Sequence, residues 1–416
     1  MNDEVDFLDF EAGFDHPPLT DDVLAGFSRW EDQGRLGFMS LPDDAVLLQD
    51  SIRLADEMRN YCSAMVVAGI GGSSLGLRAL LDAFTTDPPV TVADSPDSAF
   101  LLRLVSELDP DSSSLTVVTK SGSTAETMAM FLSLYPWIET AGDSGRRIVA
   151  VTDPEKGDLR KLANSRGWPS LPVPPSVGGR FSVMSPVGLF PAAFAGIDVA
   201  SLLAGAGAVA RDFRNRGADS LAARTAASFL ANFSARPVHA FFAYDDRLYS
   251  TALWFSQLWA ESLGKKHDLS GEAVHTGQTP LACRGPADQH SLVQLFMEGP
   301  PDKTVTIVTT PPMDDAPVLP GGFDDLPSIS YLEGLRADRL REVEAEATGK
   351  ALEERGVPVC RIRMGALDER SLGGLMMVLE IATVLCGLSL NVNPLDQPGV
   401  ERGKVLTYSA LGRPGY

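Results

Sequence analysis

Short apolar runs alternate with segments of helical periodicity along the first half of the chain. The runs are of strand length and rich in β-branched residues, and they cover 64–68, 90–93, 115–119 and 147–152. Helical spacing of apolar residues occupies the segments around them, at 49–61, 75–84, 95–108 and 158–164. Ser95 and Pro96 have the pattern of an N-cap and a first helical residue. Repeated strand–helix units of this length predict a doubly wound parallel sheet with helices on both faces.

A second series of the same kind begins near Val238. Its predicted strands are 238–244, 304–309 and 357–363. Its predicted helices are 250–263, 289–298, 334–347 and 368–388. An Ala-rich segment, 198–235, predicts two connecting helices. The fold class is therefore α/β, with two doubly wound parallel sheets in tandem. We place an N-terminal arm at 1–48, a first domain at 49–197, a second domain at 198–390, and a C-terminal turn and helix at 391–416.

One segment, 372–390, is apolar enough to resemble a membrane span. Glu380 lies in its middle, where a charge inside a bilayer would be costly, and Glu369 and Arg370 precede it. We therefore predict a buried core helix and no association with a membrane. The N-terminus is acidic where a signal peptide needs basic residues, so we expect no export.

Composition narrows the classes of function. The 416 residues are 44% hydrophobic and 22% charged, which is ordinary for a globular enzyme. A net charge of −20 argues against nucleic acid and anionic membrane surfaces as partners. Four widely spaced cysteines form no metal or redox motif and fit a reducing, cytoplasmic location. Since the five histidines also lack metal-ligand spacing, we expect no metal.

The first strand runs into a glycine-rich turn, AMVVAGIGGSSLG, that suits an anion. Gly71 and Gly72 let the main chain approach a ligand, and Ser73 and Ser74 add hydroxyls where the next helix begins. The dinucleotide fingerprint fails, because Ser74 occupies its sixth position, and no Walker lysine follows. The alternative is an ordinary tight turn between strand and helix. The turn predicts an anion-binding site but does not identify the anion.

A second strand-to-helix turn, TKSGSTAET, carries hydroxyls and a cation. The hydroxyls and the ammonium belong to Thr119, Lys120, Ser121, Ser123 and Thr124. Ser123 with Glu126 fits a capping box, which would start the helix there. Because adjacent carboxyl ends of parallel strands form the ligand crevice of such a sheet, the two turns together suit a phosphate dianion. The alternative is a capped helix with exposed serines.

Further candidates are each ambiguous when taken singly. Glu261, in LWFSQLWAESLGKK, is either an i,i+4 partner of Lys265 or a general base held in apolar surroundings beside Trp259. His290 would open another helix, as a catalyst or as a polar residue near the cap. Arg180 follows two glycines and is either an anchor for a developing oxyanion or a surface arginine.

Two more candidates lie in the C-terminal segment. Gln397 is in the turn and Lys404 in the helix that follows, where Glu401 has the i,i+3 spacing for an ion pair with Lys404.

Six segments together resemble the glucose-6-phosphate isomerase family, of the compact bacterial type. They occur in the family's order and approximate spacing, and they read GIGGSSLG, TKSGSTAET, VGGRFSVMSPVGL, QLWAESLGK, DQHSLVQL and DQPGVERGK. The resemblance covers most of the chain beyond about residue 49. It implies two sugar-isomerase α/β domains, a homodimer, no metal or organic cofactor, and a sugar-phosphate substrate. The implied reaction is the interconversion of glucose 6-phosphate and fructose 6-phosphate, a step of glycolysis and gluconeogenesis.

The resemblance also assigns a role to each candidate residue. The substrate would be bound at Gly71, Gly72, Ser73, Thr119, Lys120, Ser121, Thr124 and Gln397. Glu261 would move a proton between C2 and C1, and Arg180 would stabilise the enediolate. Lys404 and His290, the latter supplied by the neighbouring subunit, would open the sugar ring.

Two alternatives stay open at this point. One is an isomerase of broader specificity that also accepts mannose 6-phosphate, since the loop before His290, TPLACRGPADQH, lacks the longer acidic and glycine-containing pattern of larger family members. The other is a sugar-phosphate sensor that kept the phosphate turns and lost catalysis. A sensor would not need Glu261, His290 or Lys404, and all three are present.

Overall fold

Two five-stranded sheets dominate the computed structural model, which describes residues 5–416. The strands are β1 (Leu8–Ala12), β2 (Ala64–Ala68), β3 (Val90–Ala93), β4 (Ser113–Val118), β5 (Ile148–Thr152), β6 (Ser170–Pro172), β7 (Val238–Ala243), β8 (Lys265–His267), β9 (Ala273–Thr276), β10 (Thr279–Arg284), β11 (Lys303–Thr309) and β12 (Val359–Met364). The predicted arm, 1–48, is described from Val5 onwards; its first four residues lie outside the described part.

The α-helices fill the segments between the strands. They are α1 (Asp21–Asp32), α2 (Ala45–Arg59), α3 (Leu75–Ala83), α4 (Ser98–Glu107), α5 (Ala125–Ile138), α6 (Ser144–Arg147), α7 (Asp158–Arg166), α8 (Pro186–Phe194), α9 (Val199–Arg216), α10 (Leu221–Ala231), α11 (Tyr249–Leu263), α12 (Val293–Glu298), α13 (Pro327–Ser330), α14 (Ala337–Glu354), α15 (Glu369–Ser389) and α16 (Glu401–Ala410). The α/β fold class predicted from the apolar pattern is confirmed; the domain boundaries remain predictions.

The first sheet has the strand order β3-β2-β4-β5-β6 and is parallel throughout. Every residue of β2, β4 and β5 is buried, so these strands show no alternation of buried and exposed positions. Since the three strands are neighbours, the turns that follow them meet at one edge of the sheet. This juxtaposition brings the two predicted anion turns together.

The second sheet has the order β1-β12-β11-β7-β10 and contains two strands that the apolar pattern missed. β1 comes from the N-terminal arm and pairs antiparallel with β12, Leu8 opposite Met364. β10 lies parallel to β7 at the other edge, where Pro280 is tolerated within a strand. The arm is therefore part of the second sheet as well as a covering segment.

The apolar segment near the C-terminus is a core helix, as predicted. α15 is the one helix among the described residues long and apolar enough to cross a membrane, and Ser371 to Gly387 is buried inside the protein against α9 and α10. Glu380 lies in this stretch with no exposed surface, and neither of its carboxyl oxygens has a hydrogen-bond partner among residues 5–416.

Three predicted helix starts lie one to four residues before the observed ones. α4 begins after Asp97, whose carboxylate accepts the N–H of Phe100 at 2.9 Å, so Ser95 is not its cap. α5 begins after Thr124 without a side-chain cap, and no capping box forms at Ser123. His290 ends a single 3₁₀ turn, and α12 begins three residues later. In each case the helix begins further along the chain than the local motif indicated, by one residue for α5, two for α4 and four for α12.

Candidate active site

A cavity of about 740 Å³ lies at the carboxyl ends of β2 and β4. Its other walls are the segment 178–180, one face of α11, and the C-terminal segment from Leu395 to Lys404. All the predicted site residues line it except His290. Residues distant in the sequence, from Gly71 to Lys404, thus converge on one space. No group of three or more His, Cys, Asp or Glu side chains within 5–416 is placed to hold a metal ion.

The first glycine turn packs directly on the segment that carries Arg180. Gly71 has φ +59°, a conformation that glycine adopts without strain. A Cβ atom at Gly72 would lie 2.2 Å from the main-chain carbon of Gly179, so only glycine fits there. Ser73 lines the cavity, whereas the buried Ser74 hydroxyl donates to the Gly71 carbonyl. Of the two serines, Ser73 is the one available to a ligand.

The second turn forms a cluster of hydroxyls at the start of α5. The Oγ1 atoms of Thr119 and Thr124 lie 3.2 Å apart, and Ser121 Oγ lies 3.5 Å from Thr124 Oγ1. Because no side chain caps α5, its first N–H groups are left for another acceptor. Hydroxyls and helix N–H groups in this arrangement suit the oxygens of an anion.

Lys120 is placed differently from the free cation that the sequence suggested. Its Nζ donates to the carbonyls of Pro175 and Val177, at 2.6 and 3.0 Å. Burial lowers the pKa of this ammonium, and the nearby charge of Asp153 opposes that shift. Two of its three N–H groups therefore hold the segment 175–177 against the second turn.

The guanidinium of Arg180 makes five hydrogen bonds through its three nitrogen atoms. The acceptors are Ser262 Oγ (2.7 Å), Glu261 Oε2 (3.2 Å), Gln397 Oε1 (3.0 Å), and the main-chain carbonyls of Asp396 (3.1 Å) and Pro394. The residue is only 3% exposed, so it is not a surface arginine. Burial lowers its pKa, and the adjoining carboxylate of Glu261 opposes that shift. Arg180 thereby connects α11 to the C-terminal segment.

Both carboxylate oxygens of Glu261 are held by polar partners. Gln257 Nε2 donates to Oε1 at 2.9 Å, and Arg180 binds Oε2. The side chains that contact the carboxylate are therefore polar, in place of the apolar surroundings expected for it. The alternative interpretation, a side-chain pair with Lys265, does not form, because the Lys265 ammonium donates to the main-chain carbonyls of Glu261 and Asp396, each at 2.6 Å. The result is a fixed carboxylate, about a third exposed, that faces the cavity.

Gln257 and Ser262 are site residues that the sequence reasoning missed. Gln257 lies four positions before Glu261 and therefore on the same face of α11, a spacing that could have identified it. Its own Oε1 is buried without a partner among the described residues. Ser262 gave no signal, because its contact with Arg180 depends on tertiary structure alone.

The C-terminal helix closes one side of the cavity. Lys404 Nζ pairs with Glu401 at 2.7 Å, which confirms the predicted i,i+3 contact. The hydroxyl of Tyr408 donates to the carbonyl of Ser123 at 3.2 Å and so attaches α16 to the second turn.

His290 is exposed and does not line the cavity of its own chain. It lies at the end of the 3₁₀ turn Ala287–His290, beyond the edge strand β10 of the second sheet.

Comparison with known proteins identifies the family. The family model described as phosphoglucose isomerase matches residues 56–308, well over half of the chain. The chain belongs to the phosphoglucose isomerase family. The matched range contains both anion turns, Arg180, Glu261 and His290; Gln397 and Lys404 follow it and reach the same cavity in the folded structure.

Relatives within the phosphoglucose isomerase family are similar over nearly their whole length. The chain is 43% identical to the glucose-6-phosphate isomerase of Rubrobacter xylanophilus over 396 residues, which are 91% of this chain and 90% of that protein. It is 39% identical to a glucose-6-phosphate isomerase of Thermus thermophilus over 407 residues, 96% of each chain. The recognised resemblance is therefore confirmed.

Solved structures agree with this phosphoglucose isomerase fold. A crystal structure of a hypothetical protein from Thermus thermophilus superposes with a TM-score of 0.89 at 37% identity, covering 94% of each chain. A glucose-6-phosphate isomerase from Chlamydia trachomatis superposes with a TM-score of 0.76 at 23% identity, covering 88% of this chain and 73% of that one. The second likeness shows a shared fold.

Proposed function

We propose that this protein interconverts glucose 6-phosphate and fructose 6-phosphate by proton transfer within the cavity. One observation carries the proposal: the Glu261 carboxylate, fixed by Arg180 and Gln257, faces the same cavity as the two hydroxyl-rich turns. A base and an anion site at the two ends of one space suit an isomerisation of a phosphorylated sugar. The curated relatives are named glucose-6-phosphate isomerase, which supports this substrate.

The phosphate end is assigned to the two turns. Ser73 and the hydroxyls of Thr119, Ser121 and Thr124 supply donors, and the N-termini of α3 and α5 supply main-chain N–H groups. The close packing that Gly72 permits places the first turn beside Arg180. A phosphate bound here holds the sugar with its C1 and C2 carbons toward α11.

The proton transfer is assigned to α11 and its partners. Glu261 removes the proton from C2 of the aldose and returns it to C1, passing through a cis-enediolate. Arg180 offsets the charge on the enediolate oxygen, either directly or by exchanging its contact with Gln397 for one with the substrate. Lys404, on the facing helix, assists ring opening.

Ring opening also needs a proton donor, and we assign it to the His290 of a second subunit. The exposed position of His290 outside the cavity of its own chain supports an arrangement in which a homodimer completes each site. A glycolytic role and a cytoplasmic location follow as proposals from the family. The four cysteines, all free and buried, agree with a reducing compartment.

The central test is Glu261→Gln, with Glu126→Gln as the matched control. Both carboxylates line the cavity and both substitutions remove one negative charge, but Glu126 has no contact with Arg180 or Gln257. We expect kcat to fall by about 100-fold or more in Glu261→Gln, with solvent exchange of the C2 proton falling in parallel, and little change in the control. Near-normal turnover by folded Glu261→Gln would refute the assignment.

A mixing experiment tests the shared site. His290→Ala and Glu261→Gln are purified separately, then unfolded and refolded together. If His290 crosses the interface of a twofold dimer, each mixed dimer has one site with both residues intact, and about a quarter of the wild-type activity returns. If His290 acts within its own chain, every site remains defective and no activity returns.

A further inference from the structure

We propose that Lys156 supplies the free positive charge of the phosphate end, an inference that rests on the proposed isomerase function. The turn in question, 153–157, follows β5, which lies next to β4 in the first sheet. It is therefore the third turn at the same sheet edge. Lys156 lines the cavity together with the residues of the other two turns.

Two glycines bring this third turn into direct contact with the hydroxyl cluster. Gly157 has φ +95°, and a Cβ there would lie 2.7 Å from the carbonyl oxygen of Ser121. Gly122 has φ +67°, and a Cβ there would lie 2.6 Å from the N atom of Leu159. Because neither position tolerates a side chain, the main chain that carries Lys156 packs tightly on the phosphate turn.

The other cations that line the cavity already have partners. Lys120 donates to two carbonyls, Arg180 makes five hydrogen bonds, and Lys404 is paired with Glu401. The ammonium of Lys156 makes no hydrogen bond or close ion pair with any residue in 5–416, although its charge also acts on the nearby carboxylate of Asp153. A ligand can therefore use this charge without breaking an existing hydrogen bond.

The charges around the cavity support the same assignment. Four basic side chains line it, those of Lys120, Lys156, Arg180 and Lys404, against three acidic ones, those of Glu126, Asp153 and Glu261. Without Lys156 the lining has no net charge, in a protein whose overall charge is −20. Asp153 is held by the N–H groups of Glu155 and Lys156 and thereby fixes the turn, and these bonds lower its pKa.

A lysine placed in this way should act on binding and leave the chemical step unchanged. It lies on the phosphate side of the cavity, away from the contacts that hold the Glu261 carboxylate, so its charge stabilises the ground state and the transition state equally. Its loss should raise KM and leave kcat unaltered. The effect should shrink as added salt screens the charge.

The test compares Lys156→Gln with Lys161→Gln. Lys161 is on α7, one turn after the same loop, and pairs with Asp158 outside the cavity, so both variants change the net charge equally. In Lys156→Gln we expect KM for glucose 6-phosphate and the dissociation constant of inorganic phosphate to rise about fivefold, equivalent to about 1 kcal/mol. We expect kcat to stay within about twofold, Lys161→Gln to match the wild type, and Lys156→Arg to restore binding.

Calorimetry with inorganic phosphate keeps this proposal separate from the proposed function, because it requires no turnover. Wild-type protein that binds phosphate but does not isomerise would refute the isomerase and leave Lys156 open to the same measurement. Unchanged phosphate affinity and unchanged KM in Lys156→Gln would overturn the assignment of Lys156. An equal loss in Lys161→Gln would overturn it too, since only overall charge would then matter.

Discussion

Arg180→Lys should damage both the stability of the fold and the catalytic step. The substitution keeps the positive charge but replaces a planar fork of five donors with one ammonium bearing three. The acceptors belong to two separate parts of the chain, Glu261 and Ser262 on α11 and the segment 394–397 near the C-terminus. A lysine side chain cannot span both, so the connection between α11 and that segment is lost.

The size of the effect follows from the number of acceptors left without a donor. Lysine fills at most three of the five, and a buried acceptor that loses its partner, Ser262 Oγ or the Pro394 carbonyl, costs about 1 to 3 kcal/mol. The other three acceptors are only partly buried and can bind water, so the free energy of unfolding should fall by about 1 to 3 kcal/mol. Since Glu261 loses the partner of one oxygen and the shorter-reaching ammonium no longer holds its charge where the enediolate is proposed to form, kcat should fall by at least about 100-fold.

The assay pairs thermal unfolding with steady-state kinetics and uses Arg78→Lys as the control. Arg78 makes a two-pronged contact with Asp94 and also binds the carbonyl of Val92, away from the cavity. Arg78→Lys should lower the melting temperature but leave kcat unchanged. If Arg180→Lys keeps the wild-type kcat, or if the two variants lose activity equally, the hydrogen bonds of Arg180 to α11 and to the segment 394–397 have no specific role in catalysis.

Three further predictions concern the phosphate turn and two buried titratable groups. Ser121→Ala and Thr124→Ala should each raise KM for glucose 6-phosphate by about 10-fold or more while unphosphorylated glucose remains an equally poor ligand; unchanged KM would remove the second turn from the anion site. Burial raises the pKa of Glu380 well above its usual range, so the folded state keeps a proton that the unfolded state releases above about pH 4.3. Stability should therefore fall by about 1.4 kcal/mol per pH unit above that point, and Glu380→Gln, measured by urea unfolding, should abolish this slope. Burial lowers the pKa of His239 to about 3, so below about pH 6.5 the unfolded state binds a proton that the folded state does not. The free energy of unfolding should therefore be lower by about 2 to 3 kcal/mol at about pH 4.5, and His239→Gln should flatten that decline.

Local patterns in the sequence were enough to predict four of the five strands of the first sheet and the two turns at its edge, whereas the short strand β6 was not predicted. β2, β4 and β5 are buried on both faces and each contains a largely apolar run, and the glycines after β2 mark the turn directly. The edge strands of the second sheet gave no such signal. β1 alternates between buried and exposed positions, and β10 contains Pro280 and is mostly half-exposed.

The partners of the charged site residues could not be predicted, because they depend on segments far apart in the sequence. Lys120 binds carbonyls of 175–177, which nothing in the second turn reveals. Arg180 binds Gln397, more than two hundred positions away. Residue type and motif identified which side chains belong to the site, but only the fold shows which of their donors are already occupied. Lys156 belongs to no recognised motif, and it is identified as a binding residue only by comparing which cations of the cavity already have partners.

An acidic protein can bind a phosphate dianion because the two electrostatic effects act over different distances. At physiological ionic strength, solvent-exposed charges are largely screened beyond about 8 Å, so most of the surface responsible for the net charge of −20 hardly affects a ligand inside the cavity. Donors in contact with the ligand inside the cavity are screened much less. Lowering the salt concentration should therefore slow the arrival of substrate by extending the repulsion, while strengthening the contact with the positively charged lining. The two opposing effects predict that the salt dependence of KM is shallow in the wild type. In Lys156→Gln the attraction within the cavity is smaller and the long-range repulsion slightly larger, so KM should rise more steeply as salt is withdrawn.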